Sequence, residues 1–271
     1  EARERNLPID GHVPLSMRAR DVASQVQSLE HLRNYEMDCV SDPEVWLAAR
    51  QAELANVDNE PGNVLRTRLH SLQRLTAIAN EDPEVCADTT EALKATITVP
   101  TLRMNSMDVH EPFMRPDFEE ALELIPGAVA QDWRTAEARL AASADPVDTT
   151  FAEWSLRRTG ELHAAGVPIA AGTDTPIGWS IPGYSLHTEL EQYVEVGMTP
   201  LEALYSATVR PAAFFGLEGE MGQLATGYLA HAVLLSANPL QNIAHTRTVE
   251  AVINRGTLLP KTTLLKLVSV N

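Results

Sequence analysis

The sequence predicts an α/β fold built on a parallel sheet, and three observations carry this. Short apolar or β-branched runs alternate with helical stretches through the first four fifths of the chain, the pattern of strands joined by crossover helices. The best strand run, Ala95-Thr-Ile-Thr-Val-Pro-Thr-Leu102, is bounded by helical segments on both sides. The polar residues of greatest interest, His12, His31 and Asp174, fall at the C-terminal ends of predicted strands. Both a (β/α) barrel and a doubly wound sheet bind ligands at that end, so position alone leaves the two open.

Along the chain, residues 7–14 read as a short strand ending in a loop, 17–26 as a helix and 28–32 as a second strand. Asp42-Pro43-Glu44 opens a helical region with Asp42 as cap and proline in the first turn. Leu65, Leu69, Leu72, Leu75 and Ala79 recur at helical spacing and predict one apolar stripe. A helix bearing Phe151, Trp154, Leu162 and Ala165 stops at Gly166, and Val167-Pro-Ile-Ala-Ala-Gly-Thr-Asp174 reads as a buried strand running into a loop. Residues 185–196 read as helix, and Thr199-Pro200-Leu201-Glu202 as a capping box that starts another. Beyond Gly216 the texture changes to short strands and turns, at Ala232 to Leu235 and Val249 to Asn254.

The 271 residues are 44% hydrophobic, enough for a substantial core, and carry a formal net charge of -16. That surplus of carboxylates repels phosphate backbones and argues against nucleic acid and anionic membrane surfaces as partners. No apolar run approaches the ~20 residues of a membrane span. The first residues, Glu-Ala-Arg-Glu-Arg-Asn, do not read as a signal peptide, and no compartment follows from them. Cys39 and Cys86 sit in no metal-ligand spacing and read as a free, reduced pair.

Two histidines and an aspartate at strand ends are the donor types that hold a catalytic divalent ion. Taken singly, each also suits a satisfied structural histidine or a helix cap. Their order and surroundings resemble the amidohydrolase superfamily, most closely its branch related to imidazolonepropionases and Xaa-Pro dipeptidases. The resemblance runs through Gly11-His-Val-Pro14, Ser28-Leu-Glu-His-Leu32, Val99-Pro-Thr-Leu102 and Ala165-Gly-Val-Pro-Ile-Ala-Ala-Gly-Thr-Asp-Thr175. It continues through Pro182 to Leu190, Val196 to Leu204 and the tail from Gly222 to Pro239, with residues 41–94 and 103–150 least matched.

The resemblance implies the C-terminal half of a (β/α)₈ barrel, strands five to eight with helical insertions over residues 1–216, and a β-sandwich segment over 217–271. It implies His12, His31 and Asp174 as ligands of one or two divalent ions, zinc foremost. Asp174 would also shuttle the proton as metal-bound hydroxide attacks a small peptide or N-acyl amino acid. Tyr184 and His187, which follow Asp174, are the substrate-side candidates. Deamination or opening of a cyclic amide competes with amide hydrolysis.

The family's His-x-His pair is absent. The chain is therefore expected to be a piece of a longer product, or to be completed by another chain or a second copy of itself, since a half barrel exposes two strand edges. An inactive half-barrel partner is the reading from a different class. An α/β binding domain for a phosphorylated ligand would need a glycine-rich loop feeding a helix; the cluster at Gly216 to Gly222 lacks a basic residue and precedes strands.

Overall fold

The computed structural model describes residues 1–57, 59–143 and 145–268. It is a mixed α/β structure with two three-stranded sheets. The chain divides into two compact units that interleave along the sequence: Glu1–Pro100 with Thr150–Ala170, and Thr101–Thr149 with Ala171–Asn271.

The first unit is organised by a parallel ladder. Strands β1 (Asp10–Gly11), β2 (Ser28–Glu30) and β3 (Ile97–Val99) lie in sequence order, with Gly11 opposite Leu29 and Leu29 opposite Thr98. Residues 168–170 continue the order beside β3: Thr98 N–H donates to the Pro168 carbonyl at 2.8 Å, and Ala170 N–H to Thr98 at 3.0 Å. The expected strand over 167–174 is thus reduced to a single bridge. The turn into β2 is held by Gln27: its N–H donates to the Ile9 carbonyl at 2.9 Å, and its side chain accepts from Ile9 N–H at 2.7 Å.

The crossover helices are Ala19–Ala23, Pro43–Ala55, Gly62–Ala79, Pro83–Leu93 and Thr150–Ala164. Asp42 precedes the second of these but makes no side-chain cap bond, whereas Asp82 caps the fourth by accepting from Glu84 and Val85 N–H. The leucine stripe is buried only in part. In Gly62–Ala79 the buried residues are Leu69, His70 and Ala77, while Leu72 and Leu75 are 57% and 41% exposed. The inward face is instead the one carrying His70, Gln73 and Arg74. Arg74 Nε reaches Glu36 Oε1 at 3.3 Å, and Gln73 accepts from Arg50 Nε at 2.7 Å. Glu36 and Arg50 are fully buried. An unpaired buried charge costs several kcal/mol, against roughly 2 kcal/mol for leaving a leucine in water, so the polar face wins the interior.

Cys39 and Cys86 are not a free pair, as the sequence led us to expect, but are joined as a disulfide. The turn Glu36–Cys39 packs beside helix Pro83–Leu93, and this tertiary contact aligns two thiols that nothing in their spacing had linked.

The second unit holds helices Gly127–Ala141, Tyr184–Glu195 and Pro200–Ala207 and an apolar cluster of Phe118, Ala121, Leu122, Ala130 and Ile181. The capping box at Thr199 forms as read, with Thr199 and Glu202 bonding each other's backbone N–H. Strands β4 (Ala232–Leu235), β5 (Val249–Asn254) and β6 (Thr257–Pro260) make an antiparallel sheet. Gly222, at φ +94°, admits no side chain, because a Cβ there would lie 2.9 Å from that of Ala212.

The disulfide closes a loop of 47 residues. Its reduction is expected to lower the unfolding free energy by about 4 kcal/mol on chain-entropy grounds. Denaturant titration with and without reductant checks this, and thiol titration of the unfolded, unreduced protein should find no free sulfhydryl.

Candidate metal and active-site residues

His12 and His31 each stand one residue beyond a strand of the parallel ladder. His31 N–H extends the ladder by donating to the Val99 carbonyl at 2.7 Å, and its backbone then turns into the left-handed region at φ +62°, as does Leu32 at +54°. Asn34, also left-handed, donates from its side chain to the Val13 carbonyl at 3.3 Å and accepts from buried Arg50, tying the segment after His31 to the one after His12. The two imidazoles meet edge to face with ring centres 4.9 Å apart. His31 is 6% exposed, and His12 lies open.

This arrangement suits a shared ion. Two imidazoles on one tetrahedral metal at ~2.1 Å have ring centres roughly 5 Å apart, the separation observed. The Glu30 carboxylate accepts at 3.1 Å from Ser28 Oγ, which stands two residues before it on the same side of the strand.

Asp174 belongs to the other unit, four residues beyond Ala170. It too is left-handed, at φ +50°, and its carbonyl accepts from Ile177 N–H at 3.0 Å; the next bond, Thr175–Pro176, is cis. A residue that sequence reasoning missed holds this loop. Arg103, 3% exposed, donates to the carbonyls of Thr173, Ile177 and Gly178 at 2.5 to 2.7 Å. Glu189 in turn accepts from the N–H groups of Leu102 and Arg103 at 2.9 and 2.7 Å. Burial pushes the Glu189 carboxyl up to about 7 against those hydrogen bonds, and lowers the Arg103 guanidinium to about 10 despite Glu189 and Asp174 nearby. A charged residue just after a strand and an acidic one on an amphipathic helix were the available signals, and neither is distinctive alone.

Tyr184 and His187 lie on helix Tyr184–Glu195, each with a side-chain hydrogen-bond partner. Tyr184 donates to Asp117 at 2.7 Å and accepts from Arg115 at 3.2 Å, and burial with the Asp117 bond raises its phenol to about 12. His187 Nδ1 lies 2.9 Å from Thr246 Oγ1, and burial, with Arg247 nearby, lowers its imidazole to about 4.

Among the described residues, the three metal-ligand types found together within 4.8 Å are Cys39, Glu81 and Cys86. They offer no donor set, because the sulfurs are bonded to each other and the Glu81 carboxylate accepts from Trp154 and Arg157. No helix among the described residues is long and apolar enough to cross a membrane.

Comparison with known proteins bears on the second part of the chain most directly. Ochratoxinase of Aspergillus niger is 44% identical over 81 residues, covering 29% of this chain and 16% of that protein. Imidazolonepropionase of Rubrobacter xylanophilus is 36% identical over 107 residues, 36% of this chain and 25% of that protein. Among solved structures, a bottromycin amidohydrolase superposes with a TM-score of 0.64 at 20% identity, over 98% of this chain and 53% of the other. A Xaa-Pro dipeptidase with bound methionine in its active site gives 0.52 at 19% identity, over 96% and 46%. The chain thus spans about half the length of the solved structures it resembles, and they share its fold. The amidohydrolase family profile matches residues 151–259. Through that segment the chain is similar to the amidohydrolase family.

Proposed function

We propose that the chain carries part of the active site of a metal-dependent hydrolase that cleaves a C–N bond in a small peptide or N-acyl amino acid. The observation that supports it most is the 4.9 Å pairing of His12 and His31 at the ends of adjacent parallel strands. In this reading residues 1–216 are the C-terminal half of a (β/α)₈ barrel, and residues 217–271 a β-sandwich segment. Four parallel segments in sequence order support the first assignment, and the antiparallel β4–β6 sheet the second.

His12, His31 and Asp174 would hold one or two divalent ions, zinc being the choice that imidazole and carboxylate donors suit. The ion would supply a bound water with a pKa lowered to about 7 and would polarise the scissile carbonyl. Asp174 then accepts the proton of the attacking water and delivers it to the leaving nitrogen as the C–N bond breaks, so that a carboxylate and an amine leave. The Arg103 clamp holds the loop bearing that carboxylate. Tyr184 and His187 form the substrate side of the proposal.

In a protein that carries the whole barrel, the zinc-loaded form is expected to hydrolyse members of a panel of dipeptides and N-acetyl amino acids, and Asp174→Asn to lower kcat by about 10²–10⁴ for loss of general acid–base catalysis. A variant with unchanged kcat contradicts the assignment. His187→Gln should raise KM several-fold. Because an imidazole at about 4 is already neutral above pH 5, this variant should leave the acid limb of the kcat/KM profile where it was. A shifted limb would show that His187 titrates in turnover.

A further inference from the structure

We infer that the cavity beside His12 binds the carboxylate group of the substrate, with Arg66, His70 and Arg33 as its donors. The inference takes from the proposed hydrolase reading the assumption that the ligand is a small amide bearing a carboxylate.

The cavity measures about 260 Å³ and belongs wholly to the first unit. Eight residues line it, among them His12, Arg33, Arg66 and His70; no Asp or Glu is included among the described residues. In a chain of net charge -16, a recess with two guanidinium groups and no lining carboxylate is a local reversal of sign. Such a recess attracts anions.

The hydrogen-bond polarity is set by the arginines. A guanidinium only donates. Arg33 Nη1 lies 3.3 Å from His70 Nδ1, so that nitrogen accepts and the proton of the neutral ring sits on Nε2. His70 is 7% exposed, and its Nε2 is a buried donor with no partner among the described residues. A buried N–H left unmet is costly, and a carboxylate oxygen would satisfy it. Arg66 Nη1 lies 3.4 Å from His12 Nδ1, a long contact to a neutral acceptor. A carboxylate offers Arg66 a shorter, charge-assisted bond. The apolar wall of residues 13–15 leaves room for a small side chain. Arg66 and His70 lie four residues apart, on one face of helix Gly62–Ala79, and reach the cavity together.

The test is an NMR titration of the full chain, free of metal, with N-acetyl-L-alanine, N-acetyl-L-alaninamide and inorganic phosphate, following the His70 and Arg66 side-chain signals. The carboxylate should bind about tenfold or more tighter than the amide, the value of a charged hydrogen bond. Arg66→Gln should abolish that preference and Arg66→Lys should retain part of it, with thermal melts reporting that both variants fold. Equal affinity for acid and amide, no binding of either, tighter binding of phosphate, or an unaltered preference in Arg66→Gln would overturn the inference. Hydrolysis measured in parallel on zinc-loaded protein carrying the whole barrel separates the two claims. A carboxylate preference without hydrolysis sinks the catalytic reading alone, and hydrolysis without the preference sinks this one alone.

Discussion

The structure of the first unit depends on the register of its parallel ladder. Gly11 faces Leu29 and Glu30 faces Val99, so β1 and β2 end at nearly the same level, and the residues that follow them, His12 and His31, emerge together. That register sets His12 level with Glu30, one residue short of His31, so regular pleating alone would put the imidazoles on opposite faces; they meet where the backbone leaves the strand at left-handed His31. The hydrogen bond from His31 N–H to Val99 fixes the last rung, and the Asn34 side chain, bonded to the Val13 carbonyl and to Arg50, fixes the two loops against each other. Left-handed backbone at His31, Leu32 and Asn34 is a conformation that side chains other than glycine adopt at a cost of order 1–3 kcal/mol each. It persists because these bonds over-determine it.

Around that ladder the arginines are used in two ways. Arg18 is held against Asp38, which burial pushes up to about 6 despite the guanidinium, and Arg74 against Glu36. Arg50 and Arg103 instead meet neutral acceptors: Asn34 and Gln73 for the first, three loop carbonyls for the second. Each of these is a structural tie, although Arg18, Arg50 and Arg74 each keep a buried Nη2 without a hydrogen-bond partner among the described residues. Arg66 differs, since its contact is the long one to an imidazole, and it faces a cavity. The same residue type thus serves as interior scaffold and as a charge presented to a ligand, and what separates the roles is whether strong acceptors surround it.

Much of this was legible in the residues. The β-branched run around Ile97–Val99, the Thr199 capping box and the helix stop at Gly166 appear as read, because each rests on chemistry within a few residues. The strand-end placement of His12 and His31 was legible for the same reason. What escaped notice lies in long-range partnership. The leucine stripe of Gly62–Ala79 misled because Glu36 and Arg50, distant in sequence, claim the opposite face of that helix. The disulfide partners are 47 residues apart. Arg103 and Glu189 acquire their roles only when residues 86 positions apart meet, and Asp42 looked like a cap by type but does not act as one.

The most direct test of the central claim, that His12 and His31 form one metal-binding pair, is the metal content per chain by elemental mass spectrometry on protein purified without added metal or chelator. The account predicts near-stoichiometric divalent metal, with zinc foremost, that is lost in His12→Ala and in His31→Ala, while both variants keep the disulfide-linked first unit folded by circular dichroism. A metal-free parent chain, or metal retained in full by both variants, would contradict it.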